Sequence, residues 1–293
     1  MFNTIEEYLE ALKKEMQGSD AALIQDALAD AREHLTLALE AAREKTPAMS
    51  ESDALKSIID EYGTPEETAS AYREIERRTS PSLNQADKPD SFWGRVFGVY
   101  IDPRTWGSLL FMFITFVTGI IYFTWVVTGA SLSLSLLVLI IGVPFAILFL
   151  FSVQGLALLE GRLVEALLGV RMPRRPSFAQ PGMKWLERLK ALVTDKHTWL
   201  SMLYMVLQMP LGILYFTLNV TLIAVALSVM AAPFVQIFWD IPVITRGVER
   251  ILLPYWELIL MAIGGFILLT LTLHLVRVIG RLHGRYAKSM LVS

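Results

Sequence analysis

The rhythm of apolar and polar positions changes near residue 100. Up to residue 78, apolar residues recur every three or four positions amid charge: Ile5, Leu9 and Leu12, then Leu23, Ile24, Leu28, Leu35 and Leu39. That spacing predicts amphipathic helices, each burying one stripe. "SESDALKSIIDEYG" predicts a third helix, with Ser50 as its N-cap and Gly63 as its stop. "TPEETASAYREIERR" predicts a fourth, capped by Thr64 with Pro65 at its first position. The Pro/Ser/Asp-rich stretch "SPSLNQADKPDS", residues 80–91, reads as a linker.

Beyond residue 105 the apolar runs extend over about 20 residues, enough to cross the hydrocarbon core of a bilayer. Two of these runs repeat each other. "DPRTWGSLLFMFITFVTGIIYFT" from Asp102 and "DKHTWLSMLYMVLQMPLGILYFT" from Asp195 share 11 of 23 positions. Asp102 and Asp195 read as helix caps, and Trp106 and Trp199 as interfacial anchors. A second echo pairs "EGRLVEALLGV" from Glu160 with "HGRYAKSMLVS" from His283, at an offset of 123 instead of 93. The second copy therefore carries an insertion of roughly 30 residues between its helices.

These registrations predict an all-α membrane protein with a small cytoplasmic helical domain, residues 1–79, and a membrane domain, residues 92–293. Four transmembrane helices are expected, arranged as two parallel-repeat hairpins whose first helices start at the same membrane face. Hairpin 1 spans about 102–156, a cytoplasmic connector 157–194 and hairpin 2 about 195–276, with an outer insertion at about 222–256 and a basic helix at 277–291. Gly129–Ser135 is expected to make the first outer turn, with the return helix starting at Leu136 and the second return helix covering about Glu257–Val276. Residues 222–238 could instead form a fifth span, an arrangement that would put the arginine-rich tail outside.

Charge sharpens the division. Residues 1–90 hold 20 acidic and 10 basic residues, whereas the remainder holds 8 acidic and 16 basic. An acidic front domain lacks the basic face that phosphate contacts need, which argues against direct nucleic-acid binding. Positive charge concentrates in the connector and the tail, placing both termini in the cytoplasm and the protein in a bacterial inner membrane. The chain has no cysteine, which excludes disulfides and thiolate chemistry. It starts polar and amphipathic, with no signal-peptide apolar core, so the front domain is expected to stay cytoplasmic.

Two family resemblances follow. Tyr8-Leu9-x-x-Leu12, Glu33-His34-Leu35 and Gly63-Thr64-Pro65 resemble, in that order, the HAAS domain, the helix-turn-helix-associated α-helical signalling domain. The likeness covers about residues 3–78 and implies a partner-docking module, with a transcription regulator or kinase as its partner. The D-x-x-T-W-x-S-x-L start, the G-I-x-Y-F-T segment and "EGRLVEALLGV" resemble the bacterial "putative sensor" membrane family over about residues 92–291. That resemblance implies a sensing role and an outer loop between the last two helices. In that family the domain often precedes a histidine kinase; none is expected here, so a signal would have to pass through the front domain or a separate partner.

Candidate residues fall into four groups. The insertion carries Trp239, Asp240, Arg246, Glu249, Arg250, Tyr255 and Trp256, which read as a membrane-anchored amphipathic element or as a sensing surface meeting anionic headgroups. The repeat pairs Gly119, Tyr122 and Thr124 with Gly212, Tyr215 and Thr217, which either pack the hairpins or line a cleft. Asp102, Trp106, Asp195 and Trp199 mark the helix starts. Arg277, Arg281 and Arg285, spaced by four, form a lipid-facing basic tail. His34 reads as a structural histidine. The expected spans carry no interior Asp, Glu, Lys or Arg, which weighs against ion-coupled transport. No catalytic, cofactor or metal motif stands out, and none of the three is expected. The function expected is a non-enzymatic sensor that relays an envelope or lipid stimulus to a cytoplasmic partner through residues 1–79, in contact with membrane lipids and able to form homo-oligomers. The alternatives are a subunit of a transport complex or small channel built on the duplicated hairpins, and a structural subunit of a larger assembly.

Overall fold

A computed structural model describes residues 2–45, 50–79, 91–139, 142–174, 190, 193–246 and 249–292, without the side chains of residues 79 and 244–250. The linker at 80–90 and the middle of the connector, including Arg175, Lys184 and Arg188, lie outside the described residues. Two compact units are present: residues 1–85, 122–206 and 284–293 form one, and residues 86–121 and 207–283 the other.

The front of the chain folds as four helices: α1 (Ile5–Glu15), α2 (Ala21–Lys45), α3 (Glu51–Tyr62) and α4 (Pro65–Thr79). Each start follows from local chemistry. The Thr4 hydroxyl accepts from the Glu7 amide and the Ser50 hydroxyl from the Asp53 amide, satisfying donors that a helix leaves open. Thr64 and Glu67 form a reciprocal box: the Thr64 N–H donates to Glu67 Oε2 at 2.9 Å, and the Glu67 N–H to Thr64 Oγ1 at 3.3 Å. The Thr64 N–H, with the Thr64 hydroxyl donating to the same oxygen at 3.1 Å, holds the Glu67 carboxyl below its ordinary pKa. The predicted stripes meet in one core of Tyr8, Leu9, Leu12, Met16, Leu23, Ala27, Leu35, Leu55 and Ile59. Tyr8 shows why the Gly63-Thr64-Pro65 corner matters: its hydroxyl donates to Gly63 O at 2.9 Å and lies 3.0 Å from Thr68 Oγ1. Gly63 turns that corner at φ +108°, where a side chain would strain the backbone. His34 is exposed and stacks on Tyr62 at 4.6 Å, as fits a structural histidine.

A short helix, α5 (Phe92–Phe97), and a 3₁₀ turn at Gly98–Tyr100 lead into α6 (Pro103–Leu136), α7 (Gly142–Leu168), α8 (Lys196–Trp239) and α9 (Tyr255–Leu291). Among the described residues, these supply the four segments long and apolar enough to cross a membrane. Residues 222–238 continue α8 and do not form a separate span. The short strands β1 (Ile244–Arg246) and β2 (Glu249–Ile251) pair antiparallel between α8 and α9.

Three boundaries differ from expectation. Gly129–Ser135 is helical, and α6 turns only after Leu136. Its serines do not break the helix, because a serine can satisfy its hydroxyl within it: Ser135 Oγ donates to Ser131 O at 2.8 Å. Second, α7 runs unbroken through Glu160 to Leu168, so the connector begins near residue 169 and not at 157. Third, the second return helix and the basic tail are one continuous helix, α9.

The first helices of the two matching segments meet at their glycines. A Cβ added to Gly119 would lie 2.6 Å from Gln208 O, and one added to Gly212 would lie 2.6 Å from Thr115 O. Gly119 is therefore opposite residue 208, and Gly212 opposite residue 115, which is the pairing of antiparallel helices. Asn219 Nδ2 reaches Met112 Sδ at 3.0 Å, continuing that register. Exchanging the copies turns one glycine contact into the other. At this crossing α6 and α8 therefore run antiparallel. Glycine permits the backbone contact from either direction, so the repeated text could not choose the sense.

Candidate functional site

The repeat builds the same polar arrangement twice. In the first copy, Glu160 on α7 is 1% exposed. Tyr122 of α6 donates to its Oε2 at 3.2 Å, and Tyr204 of α8 to its Oε1 at 3.0 Å. In the second copy, Tyr215 of α8 lies 3.1 Å from Nδ1 of His283 on α9, and the Phe111 ring of α6 lies 4.8 Å from that imidazole. Tyr122 and Tyr215 are repeat partners, as are Phe111 and Tyr204 at the offset of 93, and Glu160 and His283 at 123. Each buried titratable residue thus receives a tyrosine from the first helix of its own copy and an aromatic ring from the first helix of the other.

The symmetry continues at the helix starts. Asp102 accepts from the Arg104 amide at 2.9 Å and Asp195 from the His197 amide at 3.1 Å, as their capping role requires. The indole N–H of Trp106 donates to Tyr100 O at 2.8 Å and that of Trp199 to Val193 O at 2.9 Å, again 93 residues apart. Gln154 bonds Thr198, whose hydroxyl reaches Asp195 at 3.3 Å. Its partner at offset 123, Arg277, pairs with Asp102 at 2.9 Å. Arg277 is therefore held by a carboxylate, while Arg281 and Arg285 remain exposed.

Glu160 was missed in the sequence because it stood at the head of an amphipathic segment expected to lie outside the spans. Its position in the echo was visible; the burial follows from α7 continuing through it. A carboxylate in a membrane-length helix is costly unless paired and hydrogen-bonded, and the two tyrosines meet that demand. Of the predicted repeat residues, Gly119, Gly212 and Tyr122 are buried, whereas Thr124 and Thr217 are exposed. The tyrosines and threonines do not share a site.

A second cluster joins the front domain to the end of α7. Arg171, 7% exposed, pairs with Asp26 of α2 at 2.8 Å, Glu76 of α4 at 3.2 Å and Glu165 of α7 at 3.4 Å. The Arg174 amide donates to Asp26 Oδ1 at 2.6 Å, and its guanidinium lies 3.4 Å from Glu165. A cavity of about 190 Å³ borders this cluster, lined in part by Asp30, Tyr72 and Glu76. Lys288, near the end of α9, pairs with Asp20 of the front domain. The planar five-donor guanidinium can serve three carboxylates at once, which an ammonium could not match in geometry.

The expected outer element is partly described. Trp239, Tyr255 and Trp256 are exposed, and the backbone at Arg246, Glu249 and Arg250 is the β1–β2 pair, their side chains lying outside the described residues. Asp240 ends α8 at φ +53°, the left-handed conformation that commonly closes a helix. Gln236 ties the two helix ends together, its amide donating to Leu253 O at 2.8 Å and accepting from Leu253 N at 3.2 Å.

A sequence family described as "Putative sensor" matches residues 113–291, more than half of the chain. No curated protein and no solved structure matches it.

Proposed function

The chain belongs to the "Putative sensor" family, and on that premise we propose that it is a non-enzymatic sensor of a bacterial inner membrane. Its HAAS-like front domain, residues 1–79, sits in the cytoplasm and passes the signal to a protein partner, a transcription regulator or kinase. The exposed aromatic end of α8 and α9 meets the stimulus at a lipid interface.

The observation that carries this reading is the Arg171 cluster. Two front-domain carboxylates, Asp26 and Glu76, share one buried guanidinium with Glu165 of a membrane-length helix. A front domain serving only as a tether would need no such buried, multiply bonded contact. Buried charge clusters are sensitive to small displacements, because losing one partner leaves another charge uncompensated. Movement of α7 therefore reaches α2 and α4 directly, and a stimulus that binds two packings unequally shifts the balance between them.

The test is crosslinking in native membranes followed by purification of the full chain, a chain lacking residues 2–79, and Arg171→Ala. Recovery of a regulator or kinase with the full chain, its loss in the truncation, and altered recovery with Arg171→Ala are expected. The same partners from all three would remove the front domain from the signalling path.

A further inference from the structure

We infer that Glu160 is a proton-binding site whose occupancy controls how firmly the front domain is held, which makes the proton a stimulus. The inference rests on the sensor reading and supplies a ligand for it.

Hydrogen-bond inventory carries the argument. An ionised carboxylate only accepts, and both oxygens of Glu160 are engaged by tyrosine O–H donors from two different helices, Tyr122 of α6 and Tyr204 of α8. On protonation, one oxygen becomes an O–H donor and a poorer acceptor, so the tyrosine bonded to it loses its charge-assisted hydrogen bond. One proton added to Glu160 thus changes the contact between α7 and one neighbouring helix, with no other reactant. The second copy sets this off, because His283 has Phe111 where Glu160 has Tyr204. The Tyr204 hydroxyl thus has no counterpart at the matching position of the second copy.

Among the titratable groups facing Glu160 are Tyr122 from α6 and Tyr204 from α8, with Tyr286 of α9 stacked on Tyr204 at 5.3 Å. On α7 itself, Arg162 and Glu165 lie toward the C-terminus and pair at 3.1 Å. Two short routes lead from here to the front domain. Gly161, the next residue, packs on Met172, beside Arg171 and its carboxylates. Tyr286 stands two residues before Lys288, the partner of Asp20. Both connections start from the atoms that a proton on Glu160 would disturb.

The experiment uses the full chain in lipid nanodiscs, comparing wild type, Glu160→Gln and Tyr204→Phe across about pH 4 to 8. Infrared difference spectra read the carboxyl itself, and amide hydrogen exchange reads α2, α4 and residues 170–174. Glutamine is neutral and can donate, so it imitates the protonated acid. Wild type is expected to gain a protonated-carboxyl band on acidification that Glu160→Gln lacks and Tyr204→Phe shifts. With it, exchange at the front-domain contact should accelerate roughly tenfold. Glu160→Gln should show the faster exchange throughout. If Glu160→Gln keeps the wild-type pH response, the titrating group lies elsewhere and the inference fails, even where partner capture still supports a sensor. A wild-type exchange pattern that does not change with pH overturns it equally. Tyr204→Phe keeps the test decisive should Glu160→Gln fail to fold, because an unshifted carboxyl band would then place the titrating acid away from Tyr204.

Discussion

The two copies of the repeat use one scaffold for two chemistries. Both place a tyrosine from the first helix against a buried titratable residue on the return helix, Tyr122 on Glu160 and Tyr215 on His283. The first copy adds the Tyr204 hydroxyl where the second has the Phe111 ring. The acid has tyrosine hydroxyls from two helices beside it, and the imidazole has one tyrosine hydroxyl and the Phe111 ring. The difference teaches that two matching stretches of sequence can share a packing arrangement and differ in polar content. Divergence concentrated where one hydroxyl decides whether a buried charge is satisfied.

The all-or-none test of this comparison concerns direction. With no native cysteine, Met112→Cys with Asn219→Cys should crosslink almost completely with a short bis-thiol reagent, since these residues touch across α6 and α8. A folded chain that fails to crosslink would restore the parallel arrangement.

Next in size are the crossing glycines. Gly119→Leu and Gly212→Leu each drive a side chain into the opposite backbone, so each should cost about 3 kcal/mol or more, seen as loss of folded protein in a detergent melt. Similar losses are expected, because the two contacts are reciprocal. One tolerated substitution would show that the copies do not share the crossing equally.

Single hydroxyl deletions separate the sites themselves. Tyr204→Phe removes a bond to a carboxylate and should destabilise by about 1.5–3 kcal/mol, whereas Tyr215→Phe removes a bond to imidazole and should cost about 0.5–1.5 kcal/mol. Equal losses in chemical denaturation would mean that Glu160 and His283 place the same demand on their partners. The smallest effect belongs to Gly155→Ala, where nothing lies within 4 Å of the added Cβ; stability should stay within about 1 kcal/mol of wild type. A larger loss there would point to a close contact on the open face of α7.

Much of this was legible. The front helices, their caps at Thr4, Ser50 and Thr64, and the Gly63 corner follow from local side-chain chemistry that reads the same in a peptide as in a fold. The repeat offsets of 93 and 123 pointed to Tyr122, Tyr215, Glu160 and His283 by register alone. What misled was the rule that charge marks the end of a span. It moved Glu160 into the connector, because a lone acid in an apolar run gives no sign of distant partners. Those partners, Tyr122 and Tyr204, are 38 and 44 residues away. Arg171 was counted as one more positive charge in a loop, and its carboxylates Asp26 and Glu76 lie 145 and 95 residues upstream.

By itself, then, the sequence determined four amphipathic front helices, four membrane-length helices and a duplicated register, because periodicity, capping and run length are local properties. The tertiary structure alone decided the antiparallel sense of the glycine crossing, the burial of Glu160 and the gathering of three carboxylates on Arg171. Each depends on which distant surfaces meet. A helix carries the same residues in either direction, and a charge is costly or secure only according to what is packed against it.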